Sequence, residues 1–413
     1  MYGNKGGVAA SVCVHETTLS FFSVHLAAGV GRAQHRNEDA EAVLDMRLPA
    51  SGSGADAAAP AAATSDHTFV FGDLNYRCGC PYDEGVALAT EGLAQRGGPA
   101  AGGREGAVPE EPGGGCPAAY ARLLCEHDEL RREMAAGRAF SGFREAPIAF
   151  GPTYRYERGS RGFSRKKEQS PSFTDRVLHF TPLARGPAQL GYWSAPGITT
   201  SDHTPVAALY SLPVAAPVPS GRVAARIGAA WAGGYELRLR RVRVGTLAAS
   251  RAHMSIAATT STYHRAGEQQ QHHHHHHHAG AVDANDLEGA LLRARFGMHG
   301  GVRGACASEY AEAAADAEGE EGKKRVRCAW DAGMLPRLRP NCTAPEALAR
   351  RTLCVCIEGY RGIYSYGVGA CAIELGAPEG GAVEFEDRPL YKGGLVVGRV
   401  SGALEVCRAE PAV

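Results

Sequence analysis

The chain lacks any run of about 18 consecutive apolar residues, so nothing in it reads as a helix that crosses a membrane. Its opening, MYGNKGGVAAS, lacks the basic and apolar regions of a secretory signal, and the cytoplasm is the expected location. A surplus of either charge is also missing: Lys+Arg and Asp+Glu stand at 44 each. That balance leaves no net field to gather nucleic acid, and no nucleic-acid partner is expected. The 12 cysteines lack the two regularly spaced CxxC pairs of a zinc site. Cys78–Cys80 and Cys354–Cys356 read as free thiols, so neither zinc nor a disulfide is expected.

What is present suits a globular protein of two or three domains, with 413 residues and 44% hydrophobic content. The glycine and alanine excess is local, in inserts at about 47–66 and 97–116. Pro49–Ser65 carries too few large side chains to pack and reads as a flexible insert.

The chain is organised around Phe69–Arg77, FVFGDLNYR. Phe69, Val70 and Phe71 read as a short buried strand, and Gly72 lets the backbone turn as it leaves the sheet. Asp73 and Asn75, two apart in extended chain, would point to the same side. A carboxylate and an amide presented together can orient a water and hold an anionic oxygen. Alone, the pair reads as an ordinary strand followed by an Asp-Asn turn, and only the motifs around it favour the other reading. Upstream, GNKGGV is a glycine-flanked turn and Thr17–Val24 a strand that delivers His25. Arg36–Asp39 head a helix with Ala40, Val43, Leu44 and Met46 on its apolar face. Downstream, Tyr120–Gly137 reads as one amphipathic helix. A PTYRY segment, a basic stretch Arg161–Lys167, PSFTDRVL and SDHTPV follow.

The ordered set GNKGGV, HLAAG with RNED, GDLNYR, PTYRY, PSFTDRVL and SDHTPV resembles the inositol polyphosphate 5-phosphatase family, within the endonuclease/exonuclease/phosphatase superfamily. The resemblance covers roughly residues 3–210, about half of the chain. It implies an α/β four-layer sandwich of the DNase I-like type over residues 1–212, Mg²⁺ dependence, and removal of the 5-phosphate from phosphoinositides or soluble inositol phosphates at a peripheral membrane surface. Asp73 would activate the attacking water, and Asn75 would donate to a phosphate oxygen. His203, oriented by Asp175, would contact the scissile phosphate, with His25 as a second phosphate ligand. Asp202 would sit near the metal. Asn4, Lys5, Arg77, Tyr154, Arg155 and Lys167 would bind substrate. Arg155 stands where the family has Lys, and Gln169 where it has Arg, which weakens one phosphate contact. Phe173 and Thr174 replace a Trp and a Cys as packing changes, and Ser23 replaces an Asn. The family's upstream Asn-rich strand and metal-binding Glu do not occur in this sequence. The expectation is therefore an N-terminally incomplete fold with an exposed sheet edge and impaired activity. The alternatives are a superfamily nuclease and a catalytically dead lipid- or protein-binding module.

Pro213–Pro219 opens a linker over 213–222. Residues 223–413 read as a β-sandwich weakly similar to the calcium/lipid-binding C-two type, without an Asp cluster for Ca²⁺. Within it, Tyr235–Val244 alternates apolar and basic residues, placing Arg238, Arg240, Arg241 and Arg243 on a solvated or lipid-facing side. Asp283–Arg295 reads as a short helix, and the segment at about 264–282, whose Gln269–His278 holds seven consecutive His, as a low-complexity insert.

Overall fold

The computed structural model describes residues 4–15, 17–46, 48, 60–96, 115–184, 186–214, 235–248, 287, 290–298, 302–303, 307–315, 325–340, 348–349, 351–361, 364–376 and 381–408. The insert at 97–114 and the His-rich run lie outside these residues. Two compact units are present: Met1–Val218 with Gly393–Val396, and Pro219–Lys392 with Val397–Val413.

The first unit is α/β. Strands β1 (Gly6–Val14), β2 (Thr17–His25), β3 (His67–Asp73) and β4 (Asp175–Phe180) form a four-stranded sheet in that order. β2 and β3 run parallel; the other neighbours are antiparallel. β5 (Ala188–Ser194) and β6 (Val206–Ser211) make a separate antiparallel pair. The helices are α1 (Ala33–Leu44), α2 (Ala61–Thr64), α3 (Tyr82–Gln95), α4 (Ala118–Arg122) and α5 (Glu129–Ala135). Leu88, Ala89, Leu123, Leu124, Ile148, Phe150 and Phe173 form a buried cluster, and burial of such side chains is worth roughly 1.5–3 kcal/mol each.

Several expectations change here. GNKGGV opens an edge strand rather than a turn, because Gly6–Val14 pairs with β2 along its whole length. Its residues are mostly exposed and show no apolar alternation, so the strand leaves no periodic signature. Pro60–Ser65 is packed rather than flexible: Ala61, Ala62 and Ala63 are buried in one helical turn, where small side chains permit close approach. Tyr120–Gly137 is not one helix. A π-helical turn (Leu123–His127) follows α4, and Asp128 leaves the helical conformation to cap α5, accepting from the Arg131 amide at 3.2 Å. The same carboxylate receives Arg176 Nη1 at 3.0 Å on each oxygen. Arg176 also donates to Glu145 at 2.7 and 2.5 Å. A second fully buried guanidinium, Arg36 of α1, donates to Glu129 of α5 and to the carbonyls of Ala27 and Gly29. Two buried arginines thus tie the helices to the strand ends.

The second unit contains strands β7 (Tyr235–Ala248), β8 (Leu291–Met298), β9 (Val302–Arg303), β10 (Ala311–Glu312), β11 (Ala314–Ala315), β12 (Arg325–Asp331), β13 (Arg337–Pro340), β14 (Thr352–Arg361), β15 (Tyr364–Glu374), β16 (Ala382–Lys392) and β17 (Leu395–Arg408). Hydrogen bonding joins them in one 11-stranded sheet, ordered β10-β8-β14-β15-β16-β17-β7-β12-β11, with β13 on β7 and β9 on β13. A division into two facing sheets is not visible in this pairing. The helix expected over Asp283–Arg295 is corrected at its end: Leu287 is helical and Leu291–Arg295 belong to β8, paired along β14, while 283–286 and 288–289 lie outside the described residues. Alternating burial in β8 (Leu292, Ala294, Phe296 and Met298 inward) is the period-2 signal that overrides the helical reading.

Replacing Arg176 by Met would leave two carboxylates buried beside each other without their counter-ion, and should cost about 3–5 kcal/mol. The shift in urea midpoint measures it, and a loss below about 1 kcal/mol would contradict a structural role for the Asp128–Arg176–Glu145 group.

Candidate active site

Strand register brings the reactive groups to one end of the first sheet. His25 lies opposite Asp73 in the parallel β2–β3 pair, and Asp175 lies opposite Asp73 in the antiparallel β3–β4 pair. The ladder runs on past the strand ends through Leu26 N–H to Asp73 O at 3.0 Å and Leu74 N–H to Thr174 O at 2.8 Å. Gly72 is required one residue earlier: its φ is +126°, and a Cβ there would stand 2.3 Å from the Val24 carbonyl oxygen.

Beyond Asp73 the chain does not stay extended. Asn75 adopts φ +60°, a conformation Asn tolerates better than most residues. Its amide therefore meets Asp73 through a turn, not by strand alternation. The Asn75 backbone N–H donates to Asp73 Oδ1 at 3.0 Å, and Nδ2 donates to Asp73 Oδ2 and to the Leu26 carbonyl, each at 3.0 Å. Arg77 fixes the other end of this amide, donating from Nη2 to Asn75 Oδ1 at 2.5 Å and from Nε to Asn75 O at 3.0 Å. Both Asn75 and Arg77 are buried.

His203 arrives on the loop before β6. The Thr204 N–H donates to Thr153 O at 2.8 Å and the Tyr156 N–H to Asp202 O at 3.0 Å, so the PTYRY and SDH segments are paired through their backbones. His203 Nδ1 lies 2.9 Å from Asp175 Oδ2, and its Nε2 lies 4.0 Å from Asp73 Oδ2. Asp175 Oδ2 also accepts from the hydroxyls of Thr153 (2.7 Å) and Thr174 (2.9 Å). Asp73, Asp175 and His203 can each offer a ligand atom within 4.8 Å of the others, the one such group among the described residues. Burial works against a charge on His203, but the hydrogen bond and charge of Asp175 prevail and hold its pKa above the ordinary value. Burial, then the Asp175 charge, raises the Asp73 carboxyl. His25 Nε2 stands 3.2 Å from Asp73 Oδ2 and touches Lys5 Nζ; burial lowers the pKa of both.

The family model described as Endonuclease/Exonuclease/phosphatase family 2 matches residues 1–209. The chain belongs to this family. It is 31% identical over 212 residues to "Synaptojanin" of Caenorhabditis elegans, covering 51% of this chain and 16% of that protein. Against "Phosphatidylinositol polyphosphate 5-phosphatase type IV" of Homo sapiens it is 31% identical over 216 residues, 51% of this chain and 30% of the relative. The chain thus spans a third or less of the length of these relatives. Among solved structures, the inositol polyphosphate 5-phosphatase domain of spSynaptojanin, in complex with inositol (1,4)-bisphosphate and calcium, aligns with 29% identity and a TM-score of 0.39, covering 50% of this chain and 51% of that one. No helix among the described residues is long and apolar enough to cross a membrane.

The remaining candidates of this endonuclease/exonuclease/phosphatase chain divide. Tyr154 lies against His203, with ring centroids 4.5 Å apart, and Arg77 stacks over the Tyr154 ring at 4.6 Å. Arg155 Nε lies 3.3 Å from Asp202 Oδ2, and Arg158 Nη2 lies 3.4 Å from Asp202 Oδ1. Asp202 is thus bracketed by two guanidiniums, apart from the Asp73–Asp175–His203 group. Gln169 Oε1 accepts from Arg77 Nη1 (3.4 Å) and from the Tyr154 hydroxyl (3.3 Å). Lys167 is exposed in a left-handed turn, and Asn4 is exposed just before β1. Phe173 packs in the core, but Thr174 is more than packing, because its hydroxyl reaches Asp175. Sequence reasoning missed Thr153, Thr174 and Arg158; the signal available was their place beside residues it had already singled out.

His203 should titrate above its ordinary value of about 6.5, and Asp175→Asn should bring the midpoint down, as read by NMR of the imidazole protons. The sign for stability follows. Because the folded value is raised, this pairing contributes fully below the unfolded pKa and is lost as pH rises through the folded one. A midpoint indifferent to Asp175→Asn would contradict the pairing.

Proposed function

We propose that this chain carries the site of an inositol polyphosphate 5-phosphatase, releasing the 5-phosphate of phosphoinositides such as phosphatidylinositol 4,5-bisphosphate. The observation that carries the reading is the Asp73–Asp175–His203 group with Asn75 and Arg77 locked behind it. The names of the relatives support the same chemistry, and a four-layer DNase I-like sandwich belongs to the proposal. Phosphoryl transfer asks for positioning and charge neutralisation more than covalent chemistry. Asp73 takes the proton of the attacking water, and its raised pKa makes it a better base than an ordinary carboxylate. With both Nδ2 hydrogens engaged, Asn75 positions Asp73 rather than holding substrate. His203, its Nδ1 turned to Asp175, presents Nε2 to a phosphate oxygen. His25 and Lys5 flank the same carboxylate and complete the anion contacts. Asn4, Tyr154, Arg155 and Lys167 recognise the further phosphates of the head group.

Two carboxylates and an imidazole within reach of one another suit a divalent cation; burial first and then the Asp175 charge raise the Asp73 pKa, and a cation would offset the second of these. Asp175 would hold Mg²⁺ through a hard oxygen donor, leaving Asp73 as the base, and the cation would supply charge neutralisation at the leaving oxygen.

The test is phosphate release from a water-soluble phosphatidylinositol 4,5-bisphosphate, with and without Mg²⁺, beside a DNA substrate. Mg²⁺-dependent release is expected, falling about 10²–10⁴-fold in Asp73→Asn. DNA cleavage in its place would assign a nuclease, and head-group binding without turnover in Mg²⁺ would assign a lipid-binding module.

A further inference from the structure

Strand β7 carries arginine at every outward position from residue 238 to 243, and a bulge concentrates that charge. The β7–β17 register passes from Leu239↔Leu404 directly to Arg241↔Ala403, so Arg240 is an extra residue without a partner across the ladder. Leu237, Leu239, Val242 and Val244 stay buried on either side of it. Arg240 and Arg241 consequently both face solvent, where strict alternation would have turned one inward.

Neighbouring strands extend the same face. Arg337 of β13 lies opposite Arg238 of β7, and Arg339 follows two residues on. The side chains of Arg337, Arg339 and Arg240 are 71%, 60% and 51% exposed. Glu236, itself buried, is shared by three of these guanidiniums: Arg238 at 2.8 Å, Arg339 at 3.4 Å and Arg337 at 3.8 Å. One carboxylate cannot neutralise three cations. Glu405 engages Arg240, and Asp331 lies opposite Arg241 across the β12 ladder. Among the described residues, six arginines on β7 and β13 therefore face three carboxylates, and a positive surplus remains there although the whole chain is neutral.

We propose that this outward face of β7 and β13 docks the chain onto an anionic membrane surface. Charge complementarity makes the argument, since each basic side chain near an anionic leaflet contributes about 1 kcal/mol. Arginine also meets phosphate oxygens through two parallel donors. Among the described residues no large apolar side chain is exposed on either strand, so attachment is electrostatic and superficial, without insertion. The same lack of exposed aromatics removes the stacking platform that single-stranded nucleic acid uses. The choice of a lipid surface rests on the phosphoinositide reading of the catalytic half, which places the substrate in such a membrane.

The experiment is co-sedimentation of the full chain with vesicles of phosphatidylcholine alone and of phosphatidylcholine with phosphatidylserine, both free of phosphoinositide. Binding to the anionic vesicles alone is expected, and it should disappear near about 0.5 M salt. The triple variant Arg240→Gln, Arg241→Gln, Arg243→Gln, with its folding checked by circular dichroism, should bind about a hundredfold more weakly. Asp73→Asn should sediment as the unaltered chain does, which separates this surface from the catalytic reading: vesicle binding without any phosphatase activity would uphold the first and sink the second. Equal sedimentation of the triple variant, equal binding to neutral vesicles, or displacement from vesicles by an equimolar DNA duplex would overturn the proposal.

Discussion

Everything at the candidate site depends on one constraint, the hydrogen-bond register that sets His25, Asp73 and Asp175 level with one another across three neighbouring strands. Side chains in level positions project on the same side of a sheet, so register alone gathers two carboxylates and an imidazole. A slip of one residue would send Asp73 to the opposite face. Buried residues guard against it: Phe22, Val70 and Leu178 are almost wholly enclosed on adjacent strands, and Gly72 fits where no other residue would.

Around that constraint the protein spends buried charge. Arg36 and Arg176 are both fully enclosed, and their partners Glu129, Asp128 and Glu145 come from distant parts of the first unit. Glu129 also accepts from the Arg77 backbone at 3.1 Å, so the helix pair reaches the segment that holds Asn75. Such pairs are weak sources of net stability, yet losing one partner is costly, which makes them effective determinants of a single arrangement. The chain of contacts from Arg36 through Glu129 and Arg77 to Asn75 and Asp73 links the rigid interior to the reacting carboxylate.

The motifs singled out Asp73, Asp175 and His203, and the structure brings ligand atoms of all three within 4.8 Å of one another. Asp73, Asp175, His203 and His25 stand in short motifs whose order carries information. The turn at Asn75 is one of two readings, because a D-x-N spacing is compatible with either a strand or a turn, and the positive φ decides for the turn. Thr174 looked like packing because hydroxyl and methyl share one small side chain, and only its distance to Asp175 decides between them. Asp202 shows the limit of a motif: adjacency to His203 says nothing of where its carboxylate goes, and here it goes to Arg155 and Arg158. In the second unit, alternation revealed individual strands, but their joining in one sheet depends on distant pairings that no local pattern encodes.

On this reading Asp73 and His203 act on one phosphorus atom as a unit. A double-mutant cycle in kcat/KM for phosphate release, using Asp73→Asn, His203→Gln and the pair together, measures this directly. The double variant is expected to be barely slower than the worse single one. Losses that simply multiply would contradict it.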